Sequence, residues 1–96
     1  MSSLIWLESA KVDIGNIFDF LAQRNPTLAT SRVKSINSAL EILKQAPQLG
    51  RPVKNGKREL IVGPRHAAYI AVYFYEKRTD TVFILEIRSQ RQLPSS

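Results

Sequence analysis

Residues 58–91 read RELIVGPRHAAYIAVYFYEKRTDTVFILEIRSQR, and the fold turns on how that stretch is read. It holds three runs rich in Val, Ile, Tyr and Phe, residue types that suit a pleated, half-buried surface. Gly63-Pro64 parts the first run from the second, and 76–80 parts the second from the third. Connections this short favour antiparallel neighbours, because a parallel crossover takes about a dozen residues or more. The spacing therefore predicts strands over 58–62, 67–75 and 81–87, joined as a three-stranded meander.

Alternation along these strands assigns their faces. In the second, Tyr69, Ala71, Tyr73 and Tyr75 share one side, and Ile70, Val72 and Phe74 share the other. In the third, Phe83, Leu85 and Ile87 oppose Val82, Ile84 and Glu86. Neither face is cleanly polar, as a face turned to water would be. One face is expected to carry a helical layer. The tyrosine-bearing face is either a set of ordinary exposed aromatics or a surface that receives a partner.

Upstream, Leu4-Ile5-Trp6-Leu7 is an apolar run too short for a helix and reads as a first strand. Ser9 is placed to cap the next element, with Asp13 in its first turn. Ala10, Ile14, Ile17, Phe18 and Leu21 form one stripe of an amphipathic helix. Asn25-Pro26 then supplies an N-cap and a first helical residue. Ala29, Val33, Ile36, Leu40 and Leu43 form the second stripe, and the short link at 23–25 makes the two helices a hairpin. Pro47 stops the second helix, 48–57 is a loop, and 93–96 reads as a frayed tail.

The layout is α+β: an N-terminal strand, then a two-helix hairpin over about 9–46 packed on an antiparallel sheet completed by the C-terminal meander. Ile14, Ile17, Phe18, Val33, Ile36, Leu40, Leu43, Val72 and Ile84 are the expected core. With 96 residues the chain is one domain, 1–96. No apolar run approaches the roughly 20 residues of a membrane span, and no secretory signal is visible. There is no cysteine, so neither a disulfide nor a thiolate metal site can form. A soluble, cytoplasmic protein is expected.

Charge is the anomaly. The net charge is +6. Residues 1–50 hold five basic and four acidic side chains and residues 51–96 hold nine and four, so five of the six excess charges lie in the second half. Such a field attracts nucleic acid or an acidic protein segment.

Catalytic constellations are sparse. His66, the single histidine, falls in the turn after Gly63-Pro64, where a solvated role is the common one. No residues show metal-ligand spacing, and no Gly-rich loop joins a strand to a helix, so no metal or cofactor is expected. The serines lack a matching His and acid. Arginine remains. Arg58, Arg65, Arg88 and Arg91 lie at strand starts, turns and ends, where they are expected to converge over one rim of the sheet. Guanidinium groups there suit either phosphoryl charge in RNA cleavage or bidentate pairing with acidic side chains of a protein. Tyr69 and Tyr73 are weak acid/base candidates, since an ordinary Tyr pKa is about 10. The pattern speaks for anion binding more than for catalysis.

Several of these features, in order, resemble the RelE/ParE superfamily of bacterial toxins from type II toxin–antitoxin modules, the ParE branch above all. They are Trp6 followed by Leu7-Glu8-Ser9-Ala10, then Asp13-Ile14 and Ile17; Pro47 with Gly50-Arg51-Pro52; Gly56 with Arg58-Glu59-Leu60; Tyr69 and Tyr73; and Ile84-Leu85 with Ile87 and Arg91. The likeness covers roughly residues 4–92. It implies a small toxin neutralised by a cognate antitoxin whose C-terminal segment wraps over the sheet and helices in a hetero-oligomer. It also implies action on DNA gyrase, as for ParE-type toxins, whereas RelE-type relatives cleave messenger RNA at the ribosome. Ser89 stands where many ParE sequences carry a histidine, Ile70 replaces a frequent arginine, and no Tyr or His follows Arg91. These departures count against RNA cleavage.

The expectation is a gyrase-binding toxin, more a binder than an enzyme, with Arg58, Arg65, Tyr69, Tyr73, Arg88 and Arg91 facing antitoxin or target. A RelE-like endoribonuclease and a weakly toxic or regulatory binding module are the alternatives. Direct nucleic-acid contact is not favoured.

Overall fold

In a computed structural model, which describes residues 1–90, the tight turn at 77–80 folds two strands onto each other. Asp80 N–H donates to Lys77 O at 3.2 Å, and Asp80 takes the left-handed conformation (φ 52°) that Asp and Asn tolerate better than most residues. On either side lie β4 (Tyr69–Glu76) and β5 (Thr81–Ser89), paired antiparallel. Before them come β1 (Ser3–Trp6), α1 (Glu8–Ala22), α2 (Pro26–Glu41), β2 (Arg51–Pro52) and β3 (Lys57–Val62). The sheet order is β1-β5-β4-β3-β2.

The meander is antiparallel as the short connections require, but β1 runs parallel to β5, so the whole sheet is mixed. The chain between them is the long crossover that a parallel pair needs. The two-residue β2, pairing Arg51 with Glu59 and Pro52 with Arg58, lies within the stretch expected to be loop. A strand so short, ending in a proline, suits an edge. Residue 67, expected to open the second strand, instead belongs to a one-turn 3-10 helix, Arg65–Ala67.

Cross-strand register shows which face meets the helices. Tyr73 lies opposite Arg58 and Ile84, Ala71 opposite Leu60 and Ile87, Tyr75 opposite Val82. Ala71, Tyr73, Val82, Ile84 and Ile87 pack with Ala10, Ile36, Leu40, Leu43 and Val62 in one core, and Tyr69 and Tyr75 pack against it. The tyrosine side is therefore the helix-covered side, not a face left open beside it. Ile70 and Val72, on the other face, are buried as well.

The alternation expected for the third strand fails at one residue. Val72 pairs with Glu86 while Tyr73 pairs with Ile84, which leaves Leu85 as the extra residue of a β-bulge. Past the bulge the phase reverses, and Ile87 joins Val82 and Ile84 on the helix side. A bulge leaves ladder groups unpaired, and buried backbone polar groups need partners. Two α1 side chains one turn apart supply them. Ser9 Oγ donates to Leu85 O at 2.7 Å, and Ile87 N–H donates to Asp13 Oδ2 at 3.0 Å. Ser9 is thus not the helix cap: α1 starts at Glu8 after Leu7, with no side-chain cap.

The second helix begins as its sequence predicts. The Asn25 side chain accepts from Leu28 N–H at 3.1 Å, and Pro26 occupies the first helical position. Of the expected core, Ile36, Leu40, Leu43, Val72 and Ile84 are buried, and Ile14, Ile17 and Val33 are half-buried. Phe18 is exposed. It lies next to Ile17 on a helix that turns about 100° per residue, so the two cannot both face the sheet squarely. Among the described residues no helix is long and apolar enough to cross a membrane.

Candidate functional site

One end of the helix-covered face is closed. Tyr73 has no exposed surface, and its hydroxyl donates to Pro47 O at 2.8 Å while accepting from Gly50 N–H at 2.8 Å. Its neighbour across the strand, Arg58, donates from Nη1 to Gln48 O at 3.1 Å and to Gly50 O at 2.7 Å. Together they fasten the 47–50 loop to the sheet. A Cβ on Gly50 would lie 2.8 Å from both Glu59 O and Tyr73 Cε1, so the loop descends closer than any side chain allows. Burial pushes the Tyr73 phenol above its ordinary pKa, opposed by the bond from Gly50 and the charge of Arg58. A phenol held protonated in two bonds is poorly placed to serve as a base.

On the opposite face Glu59 receives two arginines. Arg88 Nη2 reaches Glu59 Oε2 at 3.0 Å and Arg51 Nη2 reaches Glu59 Oε1 at 2.9 Å; Arg88 Nη1 lies 3.6 Å from Glu86 Oε2. The glutamate is nearly buried and the arginines progressively less so, so this ladder spans Val72 and ties β2, β3 and β5 together.

The other end of the helix-covered face is open. Tyr69, half-buried at the start of β4, borders two cavities. The larger, about 460 Å³, lies between α1 and the sheet and is lined by Asp13, Asn16, Ile17 and Phe20 with Tyr69, Ile87 and Ser89. Phe20 is well exposed, with the Arg24 guanidinium 5.7 Å from its ring centroid, a cation–π distance. The smaller, about 180 Å³, lies between α2 and the 63–67 turn. Arg65 and His66 stand exposed in that turn.

Of the four arginines expected on one rim, the three described ones, Arg58, Arg65 and Arg88, are not gathered there. Arg58 and Tyr73 meet at the closed end, Tyr69 and Arg65 lie toward the open end, and Arg88 is on the other face. Arg91 and the tail expected at 93–96 lie outside the described residues. The sequence reading missed Asp13, Asn16 and Phe20 as cavity-lining residues, and Arg32 with them. A signal existed: Phe20 is an aromatic off the α1 core stripe. Among the described residues no group of three or more His, Asp or Glu could hold a metal ion.

Comparison with known proteins places this geometry. The family model for the ParE toxin of type II toxin–antitoxin system, parDE, matches residues 4–94. A structure of the chromosomal ParDE toxin–antitoxin system from P. aeruginosa superposes with a TM-score of 0.77 at 28% identity, covering 93% of this chain and 96% of that one. The intact E. coli RelBE toxin–antitoxin complex gives 0.62 at 13% identity, covering 92% and 95%. The RelBE2 complex from Mycobacterium tuberculosis gives 0.58 at 18%, covering 93% and 98%. At those identities the RelBE likeness is one of fold. A sequence search of curated proteins returned no significant match. A match across almost the entire chain, on a fold shared with a ParDE toxin, shows that this chain belongs to the ParE toxin family of type II toxin–antitoxin systems.

Proposed function

We propose that the chain acts by binding DNA gyrase, without cutting nucleic acid, and is neutralised by a cognate acidic antitoxin in a hetero-oligomer. The family relationship supplies the toxin; the disposition of arginine supports the mode of action. Phosphoryl transfer to or from RNA calls for cationic groups aimed at one point, with an acid and a base beside them. Here Arg58 is engaged by two loop carbonyls, while Arg51 and Arg88 share Glu59 on the opposite face. The tyrosine of the closed end is buried and doubly bonded.

The open end suits recognition instead. Exposed Phe20, half-buried Tyr69 and exposed Arg65 are residue types that anchor protein interfaces. The net charge of +6 favours an acidic antitoxin and speeds its approach. The decisive experiment expresses the chain with and without the reading frame beside its gene, and adds the purified chain to gyrase and to a translation extract. Inhibited supercoiling with intact message is the expected result. Cleaved message with untouched supercoiling replaces the proposal by an endoribonuclease.

A further inference from the structure

The described sheet arginines Arg51, Arg58 and Arg88 have their charge or several donors met, whereas Arg32, outside the sheet, has little of either. Half-buried on α2, it makes one bond among the described residues, from Nη1 to Ala67 O at 3.3 Å, and has no carboxylate partner there. A guanidinium carries five N–H donors, so most of its hydrogen-bonding capacity is unspent. A partly desolvated cation without a counter-charge is a costly arrangement that an anion relieves. Beside it lies the 180 Å³ cavity, lined also by the hydroxyl-bearing Ser31, Ser35 and Tyr69, with Ile36 and Val62 as its apolar part.

We propose that this cavity is a carboxylate site, taking the side chain of an Asp or Glu presented by a protein partner. Its lining side chains offer a cation and three hydroxyls and no acid, which is the chemistry of oxyanion recognition. Its volume, about 180 Å³, leaves room for a carboxylate and its methylenes. Arg65, in the adjoining turn, adds to the positive field at the mouth. Across Tyr69 the larger cavity, with Ile17, Phe20 and Ile87 in its lining beside Asp13, Asn16 and Ser89, stands ready for a neighbouring side chain of the same segment. The inference deepens the antitoxin proposal and rests on it only for the partner being a protein.

The test uses the full, isotope-labelled chain, titrated with sodium acetate and, separately, with sodium phosphate at an ionic strength fixed by sodium chloride. The Arg32 Nε–H and the Ala67 and Tyr69 amides are followed by NMR. Acetate should shift them saturably, with Kd on the order of millimolar. Arg32→Gln should weaken that binding about tenfold or more, and Ser35→Ala, on an exposed helix position, should weaken it about threefold. Shifts that never saturate, or equal affinity in Ser35→Ala and the parent, overturn the assignment even if Arg32→Gln fails to fold. Saturation by phosphate alone also overturns it and points to a phosphoryl ligand. Gyrase inhibition is measured on the same unmodified chain, so loss of the carboxylate site leaves that proposal standing, and the reverse.

Discussion

Tyr69 and Tyr73 lie on one strand and one face, four residues apart, yet they end in opposite situations. Tyr73 is entirely enclosed, its hydroxyl shared between Pro47 O and Gly50 N–H. Tyr69 is half-buried between two cavities. What separates them is the covering segment, not the strand. The 47–50 loop, bolted down by Arg58, closes one end; at the other end the helical hairpin leaves gaps on both sides of the ring. The lesson is that a tyrosine's role here is set by a segment distant in sequence.

Both ends rest on the same core, so the largest effect should come from within it and spare neither. Leu40 is fully buried. Leu40→Ala should cost about 2–5 kcal/mol, the range for truncating a leucine in a tight core. Chemical denaturation checks it, and a loss below about half a kilocalorie would contradict the packing described.

The next perturbation is confined to the closed end. Gly50→Ala forces a methyl to within 2.8 Å of backbone at Glu59 O and of the Tyr73 ring. Overpacking of that kind costs about 1–3 kcal/mol. Denaturation measures the loss, and the amide spectrum should change around 47–52 and Tyr73 while the Tyr69 end keeps its shifts. Equal disturbance at both ends would mean that the loop is not an independent bolt.

Removing single oxygens sharpens the contrast. Tyr73→Phe leaves Gly50 N–H and Pro47 O without their partner, a desolvation cost of about 1–3 kcal/mol. Tyr69→Phe, whose hydroxyl has no partner among the described residues, should change stability by no more than about 0.5 kcal/mol. If the two substitutions cost the same, the closed and open ends are not distinct.

How much of this was legible depends on how local the cause is. Short connections made the meander antiparallel, and a 3-4 stripe placed Ile36, Leu40 and Leu43 in the core, because both follow from residues close in sequence. Asn25-Pro26 announced its own helix start for the same reason. The bulge at Leu85 was not legible: β5 carries no glycine, and the groups that satisfy it, Ser9 and Asp13, are more than 70 residues away. That pair looked like helix-capping chemistry and is sheet-clasping chemistry. The arginines misled similarly. Arg58, Arg65 and Arg88 are near strand ends as expected, but the face each one takes follows from register, and register puts Arg58 and Arg88 on opposite sides.

A third tyrosine completes the series with the smallest expected effect, one visible only through pH. Tyr75 shares the face of Tyr69 and Tyr73, and its hydroxyl donates to Asp80 Oδ1 at 2.7 Å; Ser2 Oγ donates to the same oxygen at 2.6 Å. These two bonds, Ser2 first, favour the carboxylate and hold Asp80 below its ordinary 3.8. A carboxyl with a depressed folded pKa adds stability that is fully present above its unfolded value, about 3.9. That contribution is lost as pH falls through the folded value. The window is therefore acid, below about pH 4, and the loss deepens as the proton is taken up. Tyr75 carries the mirror case: its bond to Asp80 raises its pKa above 10.0, so its share is present below about pH 10 and lost as pH rises through the raised value. Asp80→Asn isolates the charge, because Asn also accepts the left-handed backbone of that turn. The variant should be less stable than the parent at pH 7, and the difference should shrink as the parent is titrated below pH 4. A difference that stays constant down to pH 2 would show that the clasp works through shape and not through charge, leaving Tyr75 closer in kind to Tyr73.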